Sequence, residues 1–330
     1  MIEIVILVVG FFVAWNIGAN NTANCVGVSV GGRILSYRRA MLIMIVFVVL
    51  GAVLEGWKSM RTVGEGIILP GPSGVNPFST YPYAALASLI AASLWMFAAT
   101  LFGIPMSVSL STVSAVIGAG FLINFLQPGL GMGLQYSKLV AIAISWLLNP
   151  LIAAFLAFLI FRAVSVLLRR MKNVLRFNQT LSLLVLFASA YSAYALGAND
   201  VGASVGAVYA FFGTPPQLIA LFGAAALAVG ALTFSKRVMV TVGSGIAKIG
   251  PVTAFAAQLA AAITVWSFVQ FGMPVSTSEA IVGGVAGVGL FKGTSMVSVK
   301  RLRHIGITLA LTPATVALLS FAIGLLLMGL

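Results

Sequence analysis

Long apolar runs separated by short polar breaks set the pattern of the chain. They fall near residues 2–15, 40–54, 83–104, 113–126, 139–161, 181–196, 217–234, 252–271 and 305–329, with shorter ones between. About 20 apolar residues cross a bilayer as a helix. The pattern therefore predicts an all-α integral membrane protein with about ten crossings, or 10–12 membrane segments once broken or re-entrant helices are included. The opening MIEIVILVVG has no basic leader ahead of its apolar run, so the first segment is expected to stay in the mature protein.

Composition removes the soluble alternatives. Of 330 residues, 61% are hydrophobic and 7% charged, too few charges to cover a soluble surface of this size. The net charge of +13 would suggest nucleic acid in a soluble chain, but these cations sit in short loops between spans. There they anchor cytoplasmic ends, and no nucleic-acid partner is expected. Cys25 is the lone cysteine and His304 the lone histidine, which leaves no disulfide framework, no cysteine metal cluster and no His-based triad. An enzyme is not expected, because a general base or nucleophile constellation cannot be assembled from one His and five acids.

The chain matches itself in three places. GANNTANCVG (18–27) and GANDVGASVG (197–206) share five of ten positions at a separation of 179. GAVLEGWKSMRTVGEGI (51–67) matches GALTFSKRVMVTVGSGI (230–246) at the same separation, and FGIPMSVSLSTVSAVIGAG (102–120) matches FGMPVSTSEAIVGGVAGVG (271–289) at 169. Conserved order and spacing of three blocks mark an internal duplication. Loop charges then relate the copies. Arg33, Arg38 and Arg39 follow the first block, whereas the equivalent FFGTPPQ (211–217) has no charge; QPGLGMGLQYS (127–137) has none, whereas its equivalent carries Lys292, Lys300, Arg301 and Arg303. Equivalent loops thus face opposite sides under the positive-inside rule. The expected organisation is a first inverted repeat over 1–161, a basic cytoplasmic linker over 162–177 and a second inverted repeat over 178–330. Five crossings per half place both termini outside a multi-pass protein of the cell (inner) membrane. Apolar residues at helical spacing from Val164 to Leu175 suit a linker lying on the inner leaflet in contact with membrane lipid.

Inverted repeats interrupted at matching positions point to a transport site near the bilayer midplane. Gly18–Asn21 and Gly197–Asp200 supply one pair of expected breaks; Gly103, Pro105, Gly272 and Pro274 supply the other. The first pair offers Asn20, Asn21, Asn24, Asn199 and Asp200, hard oxygen donors suited to an alkali cation. Close helix packing is the plain alternative for the glycines and Asn side chains. An intramembrane acid such as Asp200 is a functional candidate in its own right. In the second pair, PMSVSLST (105–112) and PVSTS (274–278) place Ser107, Ser109, Ser111, Thr112, Ser276, Thr277 and Ser278 after a proline, as at a helix start. Facing helix N-termini with hydroxyls form an oxyanion site, though any one hydroxyl could instead bond the carbonyl one turn back. Neither block contains Lys or Arg, so a buried divalent oxyanion calls for co-bound cations, which couples the two ligands.

These motifs together, GANNTANCVG, GANDVGASVG, the paired G(I/M)P(M/V)S blocks and RVMVTVG, resemble the inorganic phosphate transporter (PiT) family over nearly the whole chain. The resemblance implies a cation-coupled symporter of inorganic phosphate, with cations at the GAN segments, phosphate near the PVST-type segments and a homodimer as the assembled form. Three departures stand out: Asn21 replaces the acid of the first GAND, Leu110 and Glu279 stand where the family commonly has His, and Val48 replaces a common Glu. Amides, hydroxyls and few titratable groups favour Na+ as the co-transported ion, with no other cofactor. Glu279 is either an additional cation ligand or a proton-linked acid. A channel, or an H+-coupled permease for a related oxyanion such as sulfate, is the competing reading. Glu55 and Lys58 are expected to form a local ion pair, and Gln258 to bond between helices.

Overall fold

The computed structural model describes residues 1–31, 34–71, 74–101, 107–128, 133–247, 250–291 and 299–330, without the side chains of 237–247, 291, 299–305 and 308. The first half comprises α1 (Ile2–Gly31), α2 (Tyr37–Glu65), the short α3 (Pro77–Thr80), α4 (Pro82–Leu101), α5 (Val108–Leu126) and α6 (Tyr136–Arg169). The second comprises α7 (Val174–Leu196), a π-helical turn (Gly197–Val201), α8 (Gly202–Ser204), α9 (Gly206–Phe212), α10 (Pro216–Ala247), α11 (Pro251–Gln270), α12 (Thr277–Phe291) and α13 (Val299–Met328). Nine helical segments among the described residues are long and apolar enough to span a bilayer, and α12 is a shorter apolar helix. The outer surface is apolar too: on α6, Leu147, Leu151 and Phe155 are exposed while Trp146, Asn149 and Ala153 are buried. Such a surface matches a lipid surround and not water.

The halves pack reciprocally. The longest interface of α1 is with α10, and its equivalent stretch from α7 to α9 lies on α2; α6 lies on α12 as α13 lies on α5. Glycines show why these backbones approach so closely. A Cβ on Gly18 would stand 1.9 Å from the Leu227 carbonyl oxygen, and one on the equivalent Gly197 would stand 2.1 Å from that of Val48, the equivalent of Leu227. The same exchange relates Gly51, 2.0 Å from the Tyr194 oxygen, to Gly230, 2.0 Å from that of Trp15. Further along, Gly118 meets the Ala317 oxygen at 2.1 Å and Gly287 that of Ala154 at 2.0 Å. Small residues permit such close contacts where helices pack without a hydrophobic drive. One interface made twice, with partners exchanged, is the packing of two halves about a pseudo-two-fold axis.

Three expectations are corrected here. Gly18–Asn21 does not break its helix: α1 runs unbroken through it, and the second copy is a π turn inside a continuing helix. The glycines serve backbone contact with the partner half instead of unwinding. Pro274 is not a first helical residue, since α12 begins at Thr277; the equivalent Gly103 and Pro105 lie outside the described residues. The residues of the linker are not one surface helix either. Residues 162–169 are the last turns of α6, and α7 begins at Val174 because Asn173 Oδ1 accepts from the amides of Leu175 (2.9 Å) and Arg176 (3.2 Å), an Asn N-cap. Of the loop cations used for topology, Arg33 and Lys292 lie outside the described residues, as do the side chains of Lys300, Arg301 and Arg303.

Candidate functional site

Two helix starts meet beside the GAN segments. Ser107 and Ser276, equivalent residues, cap them: Ser107 Oγ accepts from the Leu110 amide and Ser276 Oγ from that of Glu279, each at 3.2 Å. Capping by Ser sets the first residue of each helix and satisfies one first-turn amide. The other first-turn amides have no acceptor in their own helix and point forward.

What lies in front is the π turn. Asn199 Oδ1 accepts from the Val275 amide (3.0 Å), while its Nδ2 donates to the Val275 carbonyl (2.6 Å) and to Ser109 Oγ (3.3 Å). Ser109 Oγ in turn donates to the Val275 carbonyl at 2.8 Å. Asn199 therefore ties the start of α5 to the extended residues ahead of α12. Beside it, Asp200 Oδ2 accepts from Asn21 Nδ2 (2.9 Å) and Thr277 Oγ1 (3.2 Å), and Asp200 Oδ1 accepts from Asn199 Nδ2 (2.5 Å). Asn24 Nδ2 donates to Ser278 Oγ at 3.0 Å.

The residues read as cation ligands and those read as oxyanion ligands thus form one connected cluster. Asn21, Asn24, Asn199, Asp200, Ser109, Thr277 and Ser278 belong to it. Asn20 stands apart and donates to Thr100 Oγ1 at 3.1 Å. Ser111 and Thr112 return their hydroxyls to the carbonyls of Ser107 (2.9 Å) and Val108 (3.0 Å) within α5. Glu279 is buried next to the cluster, with Oε2 lacking a partner, as does Asn21 Oδ1. Two residues not singled out for the site hold it from outside: Trp146 Nε1 donates to the Pro274 carbonyl (3.0 Å) and Asn149 Nδ2 to that of Ser276 (2.8 Å). The signal for Asn149 was its place beside Pro150 inside an apolar run, where a carboxamide is costly unless bonded.

Electrostatics gives the cluster its chemistry. Asp200 is 1% exposed, and the one ion pair among the described residues, Lys58 with Glu55 at 3.3 Å, lies elsewhere. Amide and hydroxyl donors stabilise the carboxylate but do not neutralise it, and a buried charge calls for an opposite charge. The oxygens of the site left without a partner are Asn21 Oδ1 and Glu279 Oε2, and among the described residues no three His, Cys, Asp or Glu side chains gather as a metal cluster. Such an oxygen set suits a hard cation.

The family model described as "Phosphate transporter family" matches residues 17–320, spanning both GAN segments and both serine-rich blocks. The chain belongs to the phosphate transporter family. It is a transporter and not an enzyme. Among its relatives, a provisionally named phosphate permease of Methanocaldococcus jannaschii is 30% identical over 320 residues, covering 96% of this chain and 95% of the relative. One of Thermococcus kodakarensis, also provisionally named a phosphate permease, is 27% identical over 394 residues, covering 96% and 95%. A solved structure titled as the sodium-dependent phosphate transporter superposes with a TM-score of 0.86 at 27% identity, covering 100% of this chain and 99% of the other.

Proposed function

We propose that the chain couples sodium to inorganic phosphate in a symport across the cell membrane, by alternating access between its two halves. The observation that carries this reading is Asp200, a buried carboxylate with three hydrogen-bond donors and, among the described residues, no ion-pair partner. Sodium at Asp200, Asn21, Asn24 and Asn199, with Glu279 as a further oxygen, supplies the missing positive charge. Phosphate then docks against the first-turn amides of α5 and α12 and the hydroxyls of Ser109, Thr277 and Ser278. Ser107 and Ser276 shape the two helix starts, and Ser111 and Thr112 stiffen the first turn of α5. Asn20 reaches the site when its bond to Thr100 is exchanged. Since Thr277 bonds Asp200 and Ser278 bonds Asn24, the two ligand sets touch and each ligand stabilises the other, which is the thermodynamic content of coupling. The structural relative's sodium dependence agrees with this reading. The loop charges support a reading with residues 170–173 on the cytoplasmic side and both termini outside.

The test is phosphate uptake into proteoliposomes with sodium and proton gradients imposed separately and sulfate as competitor. Accumulation driven by sodium alone is expected. Accumulation driven by protons and indifferent to sodium would transfer the coupling to a protonated acid, with Glu279 the first candidate.

A further inference from the structure

Beside the cluster lies a cavity of about 10 Å³, lined by Asn24, Cys25, Ser192 and Thr277 among others, the size of one water. From it a polar seam continues between α1, α7 and α11. Gln258 donates to the Cys25 carbonyl in a short bond and to Ser189 Oγ at 3.4 Å, and Ser29 and Ser189 share a short hydrogen bond. Gln258 is 2% exposed, and its Oε1 has no partner. Beyond the seam, Val28, Phe161, Leu168, Leu181, Val185 and Phe255 form an apolar plug at the end of the molecule that carries residues 170–173.

The two-fold axis supplies a control. A second cavity of about 10 Å³ is lined by Leu89, Ala92, Thr112 and Ser204; these are the equivalents of Gln258, Ala261, Ile281 and Cys25. On that side the seam is absent. Leu89 replaces Gln258, Val13 replaces Ser192, and the Ser29–Ser189 bond becomes a contact of Val208 with Gly10, where a Cβ would stand 2.6 Å from Val208 Cγ2. The polar groups lining the second cavity, Ser88, Thr112 and Ser204, return their hydroxyls to carbonyls of their own helices, so the chain of polar contacts between helices made by Gln258, Ser189 and Ser29 has no counterpart there among the described residues.

We infer that the seam through Cys25, Ser192, Gln258, Ser189 and Ser29 is the cation's route between the buried cluster and the 170–173 end, with Gln258 Oε1 its first ligand on leaving. The route rests on the sodium-symport reading above. It is too narrow for phosphate in the present state, and it opens when the apolar plug parts.

Cys25 is the chain's lone cysteine, so thiol modification reports this route without mutation. A membrane-impermeant cationic methanethiosulfonate is applied to sealed vesicles of each orientation, the face being identified by trypsin cleavage at Arg170 or Lys172. The expected result is modification from the 170–173 face only, slowed about tenfold by sodium at ten times its Kd and unaffected by choline. Modification that is absent, equal from both faces or indifferent to sodium overturns the route. In uptake, Gln258→Leu is expected to raise the sodium half-saturation about tenfold, the loss of one charge-assisted contact, with phosphate half-saturation at saturating sodium unchanged and Gln258→Glu restoring sodium affinity. A sodium half-saturation within about twofold of the native value overturns it as well. If uptake is sodium-driven while these results fail, only the route falls; if uptake ignores sodium, the symport reading falls and takes the route with it.

Discussion

Asn21 donates to Asp200 across 2.9 Å, and the two are the same position in the two halves, 179 residues apart. A residue that touches its own equivalent lies on the pseudo-two-fold axis, so this bond marks that axis. It also marks where symmetry fails, because one side brings a neutral amide and the other a carboxylate. The single charge on the axis is therefore carried by the second half.

Asn21→Asp restores an acid on both sides and removes the hydrogen-bond donor between them. Two carboxylates at this distance repel in a low-dielectric site unless a cation lies between them. The expected outcome is a protein less stable than the native chain without sodium and more strongly stabilised by it. Thermal unfolding in detergent across a sodium titration reads this, and parallel curves for the two proteins would contradict it.

Gly18→Ala and Gly197→Ala each drive a methyl into a carbonyl oxygen of the other half, at 1.9 and 2.1 Å. Overpacking of a tight contact costs roughly 1–3 kcal/mol, and equivalent sites should suffer alike. Gly306→Ala, where nothing lies within 4 Å, is the control and is expected to be neutral or to gain up to about 1 kcal/mol in helix propensity. Unfolding temperatures of the three variants decide the matter.

Much of this was legible in the sequence. The spans follow from apolar runs, and the duplication follows from three blocks in one order. Asp200 stood out because an acid amid apolar residues has few structural uses. Other features were hidden because one residue type serves two ends. Glycine both frees a backbone and lets another approach, so the unbroken course of α1 through Gly18 could not be read from the letters. Hydroxyls likewise cap, back-bond or face a ligand: Ser107 caps, Ser111 returns to its own helix, and Thr277 reaches Asp200. A carboxamide beside Pro150 in an apolar run signals that Asn149 is bonded, but the local pattern does not name its partner, the Ser276 carbonyl, far away in sequence.

Asn149→Ala removes the donor that holds the Ser276 carbonyl and so loosens the start of α12. Loss of one buried bond of about 1 kcal/mol corresponds to roughly fivefold. Phosphate half-saturation is expected to rise by that order, whereas Leu151→Ala on the outer face of the same helix should leave it unchanged. Uptake against phosphate concentration at saturating sodium checks both.

Glu55 ties α2 to α7 and α11. Its Oε1 accepts from Tyr194 Oη (2.7 Å) and Trp266 Nε1 (3.3 Å), and its Oε2 from Gln270 Nε2 (2.5 Å) and Lys58 Nζ (3.3 Å). The local ion pair is one part of a larger network. Glu55→Ala is expected to lower stability by about 1–3 kcal/mol with unchanged half-saturation for sodium and phosphate. A shift in either half-saturation with stability intact would place Glu55 in transport instead.

Coupling at Asp200 is tested most directly by phosphate binding to the purified protein at equilibrium, with and without sodium, in the native chain and in Asp200→Asn. A native phosphate Kd that falls at least about tenfold in sodium, a coupling of about 1.4 kcal/mol, together with an Asp200→Asn Kd that no longer responds, is the result expected. A native Kd indifferent to sodium, or an Asp200→Asn protein that keeps the full sodium response, would contradict it.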